Sequence, residues 1–291
     1  MSADARRLVG ISLAAVQASL GRIKKGLPVV PLLMTSATAT AIVIRDDIPD
    51  ERYLVAESAF PALVDLMHEG HGVLIAPQWI VTAAHATQGH SVTEVMLNGE
   101  CLAVERVVVH PGYKQVPEDL FTGESEPLLR FLASSDDIAL IKLVKPATGV
   151  EPAPLYRGQG ELGQKVVLYG KGATGNGLSG QSEGPNRTVL RRAQNVISSV
   201  DGRWLAYTFD SGRTARPLEG MLGSGDSGSP VLLQHHRQWE LAGLASWRSA
   251  EGKLSEVRSG LYGQRGYQVR ISHYLPWIEA TIKANGAAPT P

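Results

Sequence analysis

Residues 72–86 read GVLIAPQWIVTAAHA, two runs of mostly apolar residues broken at Pro77 and closing on His85. Gly72 to Ala76 and Trp79 to Ala84 are too short for helices, and their branched residues favour extended chain. The same texture recurs outward from them. It is found at Val92 to Leu97, Leu102 to Val109, Ile138 to Val144, Lys165 to Tyr169, Val189 to Val200 and Arg203 to Phe209. It returns at Pro230 to Gln234, Trp239 to Trp247 and Tyr267 to Ile271. Many short strands divided by turn formers, with no long helical periodicity between them, predict an all-β sandwich or barrel. One helix is expected near the end, where Tyr274, Trp277, Ile278 and Ile282 share an apolar face. Two longer polar segments, Gly112 to Ser135 and Arg248 to Arg265, read as surface loops with a role in function. Gly170 to Asn186, rich in Gly, Ser and Asn, reads as a mobile loop. No repeat period is visible, and Gly286 to Pro291 reads as a frayed tail.

Composition narrows the function classes. A length of 291 residues suits two domains or one large one. The hydrophobic share of 43% supplies a core. Lys+Arg and Asp+Glu balance at 28 each, so no global basic field exists to attract nucleic acid or an anionic membrane. One cysteine, Cys101, excludes an internal disulfide and cysteine-rich zinc modules, and its apolar run makes it read as a small buried hydrophobe. His68 and His71 lack a third ligand and the H-E-x-x-H spacing, so no metal site is expected. Gly170 to Gly177 lacks the Lys-Ser/Thr ending of a phosphate cradle. Asn186-Arg187-Thr188 is a glycosylation triplet, relevant only in a eukaryotic host.

The first 41 residues have the character of a leader. Arg6, Arg7, Lys24 and Lys25 make residues 1–25 positive. An apolar stretch from Leu27 to Met34 follows, then a small-residue tract ending Ala39-Thr40-Ala41. That order describes an export signal, with Val16-Gln17-Ala18 a weaker second cut site. The rival reading is a membrane anchor; Pro28, Pro31 and the hydroxyl residues from Thr35 to Thr40 argue against it. Cleavage after Ala41 makes Ile42 the new N-terminus.

Three segments carry chemistry. Trp79-Ile80-Val81-Thr82-Ala83-Ala84-His85-Ala86 ends a β run at a histidine among small neighbours. Ser135-Asp136-Asp137-Ile138-Ala139-Leu140-Ile141-Lys142-Leu143 sets an acid at the mouth of an apolar strand. Gly223-Ser224-Gly225-Asp226-Ser227-Gly228-Ser229-Pro230 wraps a serine in glycines. Taken singly each has an ordinary explanation: a polar strand end, turn chemistry, a flexible loop. Together, and in this order, TAAH, DIALIKL and GDSGSP resemble the catalytic signatures of the trypsin-like, chymotrypsin-fold serine proteases. The resemblance extends through Gly72 to Trp79, Leu244 to Trp247 and Gly266 to Ile282, so it covers roughly Ile42 to Asn285. It is nearest to exported bacterial members of that family. Gly70 and Ala86 stand where relatives often carry a bridging cysteine pair.

The resemblance implies two antiparallel six-stranded β-barrels packed face to face, with a C-terminal α-helix. It divides the chain into a leader (1–41) and a protease domain (42–291), with barrels at 42–154 and 155–272 and the helix at 273–285. A hydroxyl is a weak nucleophile, so Ser227 needs His85 as its base, and Asp137 to fix the imidazole tautomer and steady its positive form. The match selects Asp137 over Asp136 and sets Ser246 as a brace on Asp137. The backbone N–H groups of Gly225 and Ser227 are expected to hold the developing oxyanion. Ser229 replaces the family's usual second glycine. Asp226 is expected to pair with a new ammonium group at Ile42, although Ile44-Arg45 replace the family's usual glycines there.

Specificity is less determined. Met221 matches the pocket floor, Gly266 one wall, and Trp247 and Arg248 the substrate-binding edge. With no carboxylate among them, preference for Arg or Lys is not expected; small or medium apolar residues come first, and acidic residues second because Arg248 can meet them. The function implied is a secreted or periplasmic serine endopeptidase acting through an acyl-enzyme. Its expected partners are a polypeptide substrate and a protein inhibitor. No cofactor, metal, nucleic acid or membrane beyond the export signal is expected. Two alternatives stand beside it, a non-catalytic homologue that binds through the cleft and an esterase using the same three residues.

Overall fold

The computed structural model describes residues 42–285; the expected leader and tail lie outside them. The first strand, β1 (Ile42–Ile44), precedes two closed barrels. One barrel contains β2 (Leu63–Leu66), β3 (His71–Ala76), β4 (Trp79–Thr82), β5 (Glu94–Leu97), β6 (Glu100–Val109) and β7 (Ala139–Leu143), ordered β2-β3-β4-β7-β6-β5. The chain then forms β8 (Lys165–Gly170), β9 (Thr174–Asn176), β10 (Gly180–Gln181), β11 (Arg191–Asp201), β12 (Trp204–Thr208) and β13 (Gly220–Met221). It finishes its strands with β14 (Pro230–His235), β15 (Gln238–Arg248) and β16 (Arg265–Arg270). The second barrel runs β11-β12-β16-β15-β14-β8. Taken in chain order, each barrel's six strands neighbour one another in the same sequence, first-second-third-sixth-fifth-fourth. The fold is therefore the expected pair of six-stranded barrels. Its internal duplication is one of topology, carried by hydrophobic pattern without a shared sequence period.

The apolar runs are nearly continuous because many strands are buried on both faces. In β8, Val166 and Leu168 enter the second barrel's core, while Val167 and Tyr169 join the large cluster that also fills the first barrel. β14 divides in the same way, with Val231 and Leu233 on one side and Leu232 on the other. The two barrels thus share packed side chains, and groups supplied by each are held at a fixed separation.

Several local expectations need correction. Ile42–Ile44 does not belong to the first barrel. β1 pairs in parallel with β9 and antiparallel with β13, and its three buried side chains lie in the second core. The Gly170 to Asn186 segment carries β9 and β10, because β1 gives β9 a strand to pair with and β10 pairs with β9. Gly112 to Ser135 is not only loop: it holds a 3-10 turn at Glu118–Phe121 and α1 (Ser125–Ala133). Leu128 and Leu132 of α1 face the core, and Ser125 bonds to Ala250 and Gly252 of the other long segment. Cys101 is exposed, because it lies on the outer face of β6 just past the Asn98-Gly99 turn. α2 (Ile271–Asn285) begins slightly earlier than expected and buries Tyr274 and Ile278. Among the described residues no helix is long and apolar enough to cross a membrane.

If α1 is a packed element, Leu128→Ala will open a cavity against the core and cost about 2–5 kcal/mol. Urea unfolding of the chain beginning at Ile42 checks this, and a loss below about 0.5 kcal/mol would return the segment to the status of a loop.

Candidate active site

His85 follows β4 on a single 3-10 turn, Ala84–Thr87, where small neighbours let the backbone turn in close to the core. Asp137 immediately precedes Ile138 and β7, the strand paired with β4, so barrel register brings acid and imidazole together. Ser227 arrives from the second barrel on the loop before β14. His85 Nδ1 lies 2.7 Å from Asp137 Oδ2, and His85 Nε2 lies 2.7 Å from Ser227 Oγ. The His85 backbone N–H donates to Asp137 Oδ1 at 2.8 Å, and the Ser246 hydroxyl donates to Oδ2 at 2.5 Å. Burial pushes the Asp137 carboxyl up, but the His85 ring, the Ser246 hydroxyl and the His85 N–H together hold it below the usual carboxylate range. A carboxylate, an imidazole and a hydroxyl in one hydrogen-bonded line can move a proton off the hydroxyl oxygen.

Asp136 points elsewhere. It accepts from Tyr274 Oη at 2.7 Å and pairs with Arg203 at 2.9 Å, tying α2 and the second barrel to the acid's own turn.

The serine loop is shaped by close approaches. Gly225 has φ +85 and Gly228 φ +77, the left-handed region that glycine enters without strain. A Cβ on Gly225 would overlap the Asn186 carbonyl, and one on Gly228 would overlap that of His71. The His71 N–H donates to the Ser227 carbonyl at 2.7 Å, a bond from the first barrel to the second. A Cβ on Gly70 would stand 3.1 Å from both Ala86 Cβ and the Ser227 carbonyl oxygen, so a small pair fills that corner. Ser229 is fully buried and donates its N–H to the Asp226 carbonyl at 2.8 Å.

Asp226 is fully buried, with Oδ1 accepting from Gly172 N–H at 2.7 Å and Oδ2 from Gly223 N–H at 2.8 Å. Burial raises its pKa, against the opposing pull of His71, those N–H groups and Arg248. Ile42 pairs with Thr174, two residues beyond Gly172, and Val43 pairs with Met221. Ile42 has φ +61, a costly conformation for a β-branched residue. His68 and His71 do not act as a pair: His71 Nδ1 meets Asp65 at 2.9 Å, whereas His68 packs edge-on against His90.

The cleft beside Ser227 departs from the sequence reading at two positions. Ser246, Trp247, Arg248 and Gly266 line it as expected, but Met221 does not; Met221 is buried in the second core against β1. Leu222 and Tyr207 line the cleft in its place. Gly266 was expected to leave room, yet the Tyr207 ring takes it, lying 2.8 Å from where a Cβ would stand. Tyr207 Oη accepts the Leu222 N–H at 3.2 Å. Gln268 also lines the cleft. Strand alternation marks Tyr207 as inward-facing, but its entry into the cleft depends on β12 pairing with β16, which no local motif reports. Trp247 stacks on Tyr267 at 3.7 Å.

Asp65 links the first barrel to the loops around the serine. It meets His71, Lys171 Nζ at 3.0 Å and Arg187 at 3.2 Å. Burial would raise its carboxyl, but the contacts with His71, Lys171 and Arg187 outweigh this and depress it strongly. A depressed carboxyl contributes stability above its unfolded pKa, near 4, and loses it as pH falls toward the folded value. Asp65→Asn is therefore expected to lose about 2–3 kcal/mol at pH 7 and clearly less at pH 3, as read by urea unfolding. An equal loss at both pH values would contradict the linkage.

The chain matches the family model Trypsin over residues 53–278. It is 25% identical to vitamin K-dependent protein C of Mus musculus, over 75% of this chain and 47% of that protein. It is 29% identical to complement C1s subcomponent of Rattus norvegicus, over 74% of this chain and 32% of that protein. The chain spans less than half the length of each of these relatives.

Proposed function

The chain belongs to the trypsin family, and from that premise we propose that it is a serine endopeptidase of the exported bacterial type, cleaving peptide bonds through an acyl-enzyme. The observation that carries the reading is the position of His85, 2.7 Å from both Asp137 and Ser227. Ser227 Oγ attacks the carbonyl carbon while its proton passes to His85 Nε2. Asp137 holds the opposite nitrogen and steadies the imidazolium. The tetrahedral oxygen meets the N–H groups of Gly225 and Ser227, and its collapse expels the amine, which takes the proton from His85. Water then repeats the sequence on the acyl-enzyme and releases Ser227. Non-basic specificity is supported by the cleft, whose lining includes no carboxylate among the described residues.

The same reading makes residues 1–41 an export leader, puts the enzyme outside the cytoplasm, secreted or periplasmic, and makes 42–291 the protease domain. Cleavage before Ile42 frees an ammonium group beside the segment whose Gly172 holds Asp226. The preceding carbonyl, one source of strain at φ +61, is lost with the leader. The new charge offsets that of buried Asp226 and fixes the Gly225 loop.

Two outcomes are expected. A fluorophosphonate probe on the chain beginning at Ile42 labels Ser227, and Ser227→Ala abolishes both labelling and peptide turnover; labelling elsewhere, or turnover surviving in the variant, would overturn the reading. Retaining a Met before Ile42 lowers kcat/KM by about 100-fold or more, since a buried charge left without its partner costs about 3–5 kcal/mol. Equal activity with and without that Met would remove Ile42 from the mechanism.

A further inference from the structure

We propose that Tyr207 sets the specificity of the cleft beside Ser227, restricting the residue whose carbonyl Ser227 attacks to one with a small side chain, Ala or Ser. This rests on the peptidase reading above and deepens it. Tyr207 lines the cleft together with Leu222, Trp247 and Gly266. Register explains how it arrives there. Tyr207 of β12 pairs with Gly266 of β16, and a residue without a side chain leaves its neighbour's ring free to lie across it. The far end of the ring does so, with Cζ 2.8 Å and Oη 2.9 Å from the point where a Gly266 Cβ would stand. The space that Gly266 opens is thus closed again by the residue paired with it.

The ring is a fixed wall and not a movable plug. Tyr207 is fully buried in the second barrel's core, and its Oη accepts the Leu222 N–H at 3.2 Å. Displacing it would break that bond and leave a hole in a packed interior. The other walls are held as well. Trp247 stacks on Tyr267 at 3.7 Å and meets Trp204 edge-on at 5.5 Å. Arg248 bonds to Gln181 Oε1 at 3.0 Å and to Ser224 Oγ at 3.1 Å. What remains between these groups is about 20 Å³, room for one water-sized or methyl-sized group. Leu, Phe and Lys side chains exceed that space, and forcing them in means overpacking a closed site.

Polarity favours the same class. Gln268 is buried in the cleft lining, and its Oε1 has no partner among the described residues. A Ser hydroxyl can donate to that oxygen, whereas a Leu or Phe side chain would only seal it from water. The expected preference for small or medium apolar residues therefore narrows to small ones, with a hydroxyl tolerated.

The test uses the chain beginning at Ile42 and matched fluorogenic peptides differing only in the residue before the cleaved bond: Ala, Ser, Leu, Phe or Lys. Rates are normalised to the fraction of Ser227 that takes a fluorophosphonate label. The better of Ala and Ser is expected to exceed each of Leu, Phe and Lys in kcat/KM by about 100-fold or more. Tyr207→Ala, which empties the space beside Gly266, is expected to bring Leu or Phe to within a few fold of Ala. Tyr207→Phe, which keeps the ring, is expected to keep the wild-type order of substrates. Labelled wild-type enzyme that cleaves after Leu or Phe as well as after Ala and Ser would overturn the proposal and leave the peptidase reading intact. A labelled Tyr207→Ala variant with the wild-type ratios would do the same. Absence of label at Ser227 in the wild-type chain would overturn both. Should Tyr207→Ala fail to fold, the wild-type Ala-to-Leu ratio still decides.

Discussion

The hydrogen-bonded line from Asp137 through His85 to Ser227 crosses between two barrels, so its geometry is only as good as their docking. Two bonds of 2.7 Å leave little tolerance, since a shift of one ångström would break either. The first barrel sets the acid and base by the β4–β7 pairing, while the second delivers the serine from the loop before β14. Much of the remaining structure can be understood as holding those two deliveries in register. His71 bonds to the serine's own carbonyl, Ser246 braces Asp137 from the far barrel, and Asp136 ties the acid's turn to Arg203 and Tyr274. Shared apolar packing, with β8 and β14 contributing to both cores, supplies the stiffness beneath these polar links.

The other constraint is the handling of buried charge. Asp226 carries a carboxylate into a site with no exposure, and two backbone N–H groups only partly compensate it. A buried carboxylate held this way is an efficient receiver for a newly made cation. The proposed Ile42 ammonium and Arg248 therefore form one electrostatic system with the serine loop. Arg270 and Glu161 show a different solution elsewhere, where a bidentate pair at 2.8 and 2.9 Å is completed by the Ser272 hydroxyl.

Some of this was legible in the sequence because the constraint is local. A turn that holds an imidazole needs small residues, which TAAH supplies, and a backbone that must pass close to two carbonyls needs glycine at 225 and 228. The strands were legible because double burial makes their apolar runs continuous. What the sequence hid was non-local. Tyr207 lies at a plain inward position of a strand, and only the β12–β16 pairing carries its ring to Gly266. Met221 matched a pocket position by resemblance, yet β1 pairing draws it into the core. α1 looked like loop because it is a nine-residue helix inside a longer and more polar segment, too short for its apolar face to set a clear period. Cys101 looked buried because its run is apolar, although the strand's alternation turns it outward.

The central claim is that His85, Asp137 and Ser227 act as one unit across the barrel boundary. The most direct measurement is a double-substitution cycle on kcat/KM with His85→Ala, Ser227→Ala and the pair. Residues that act only together lose their function at the first substitution, so the double variant is predicted to be no slower than the slower single one. Losses that add in free energy would mean that the two residues act independently, and would contradict the account.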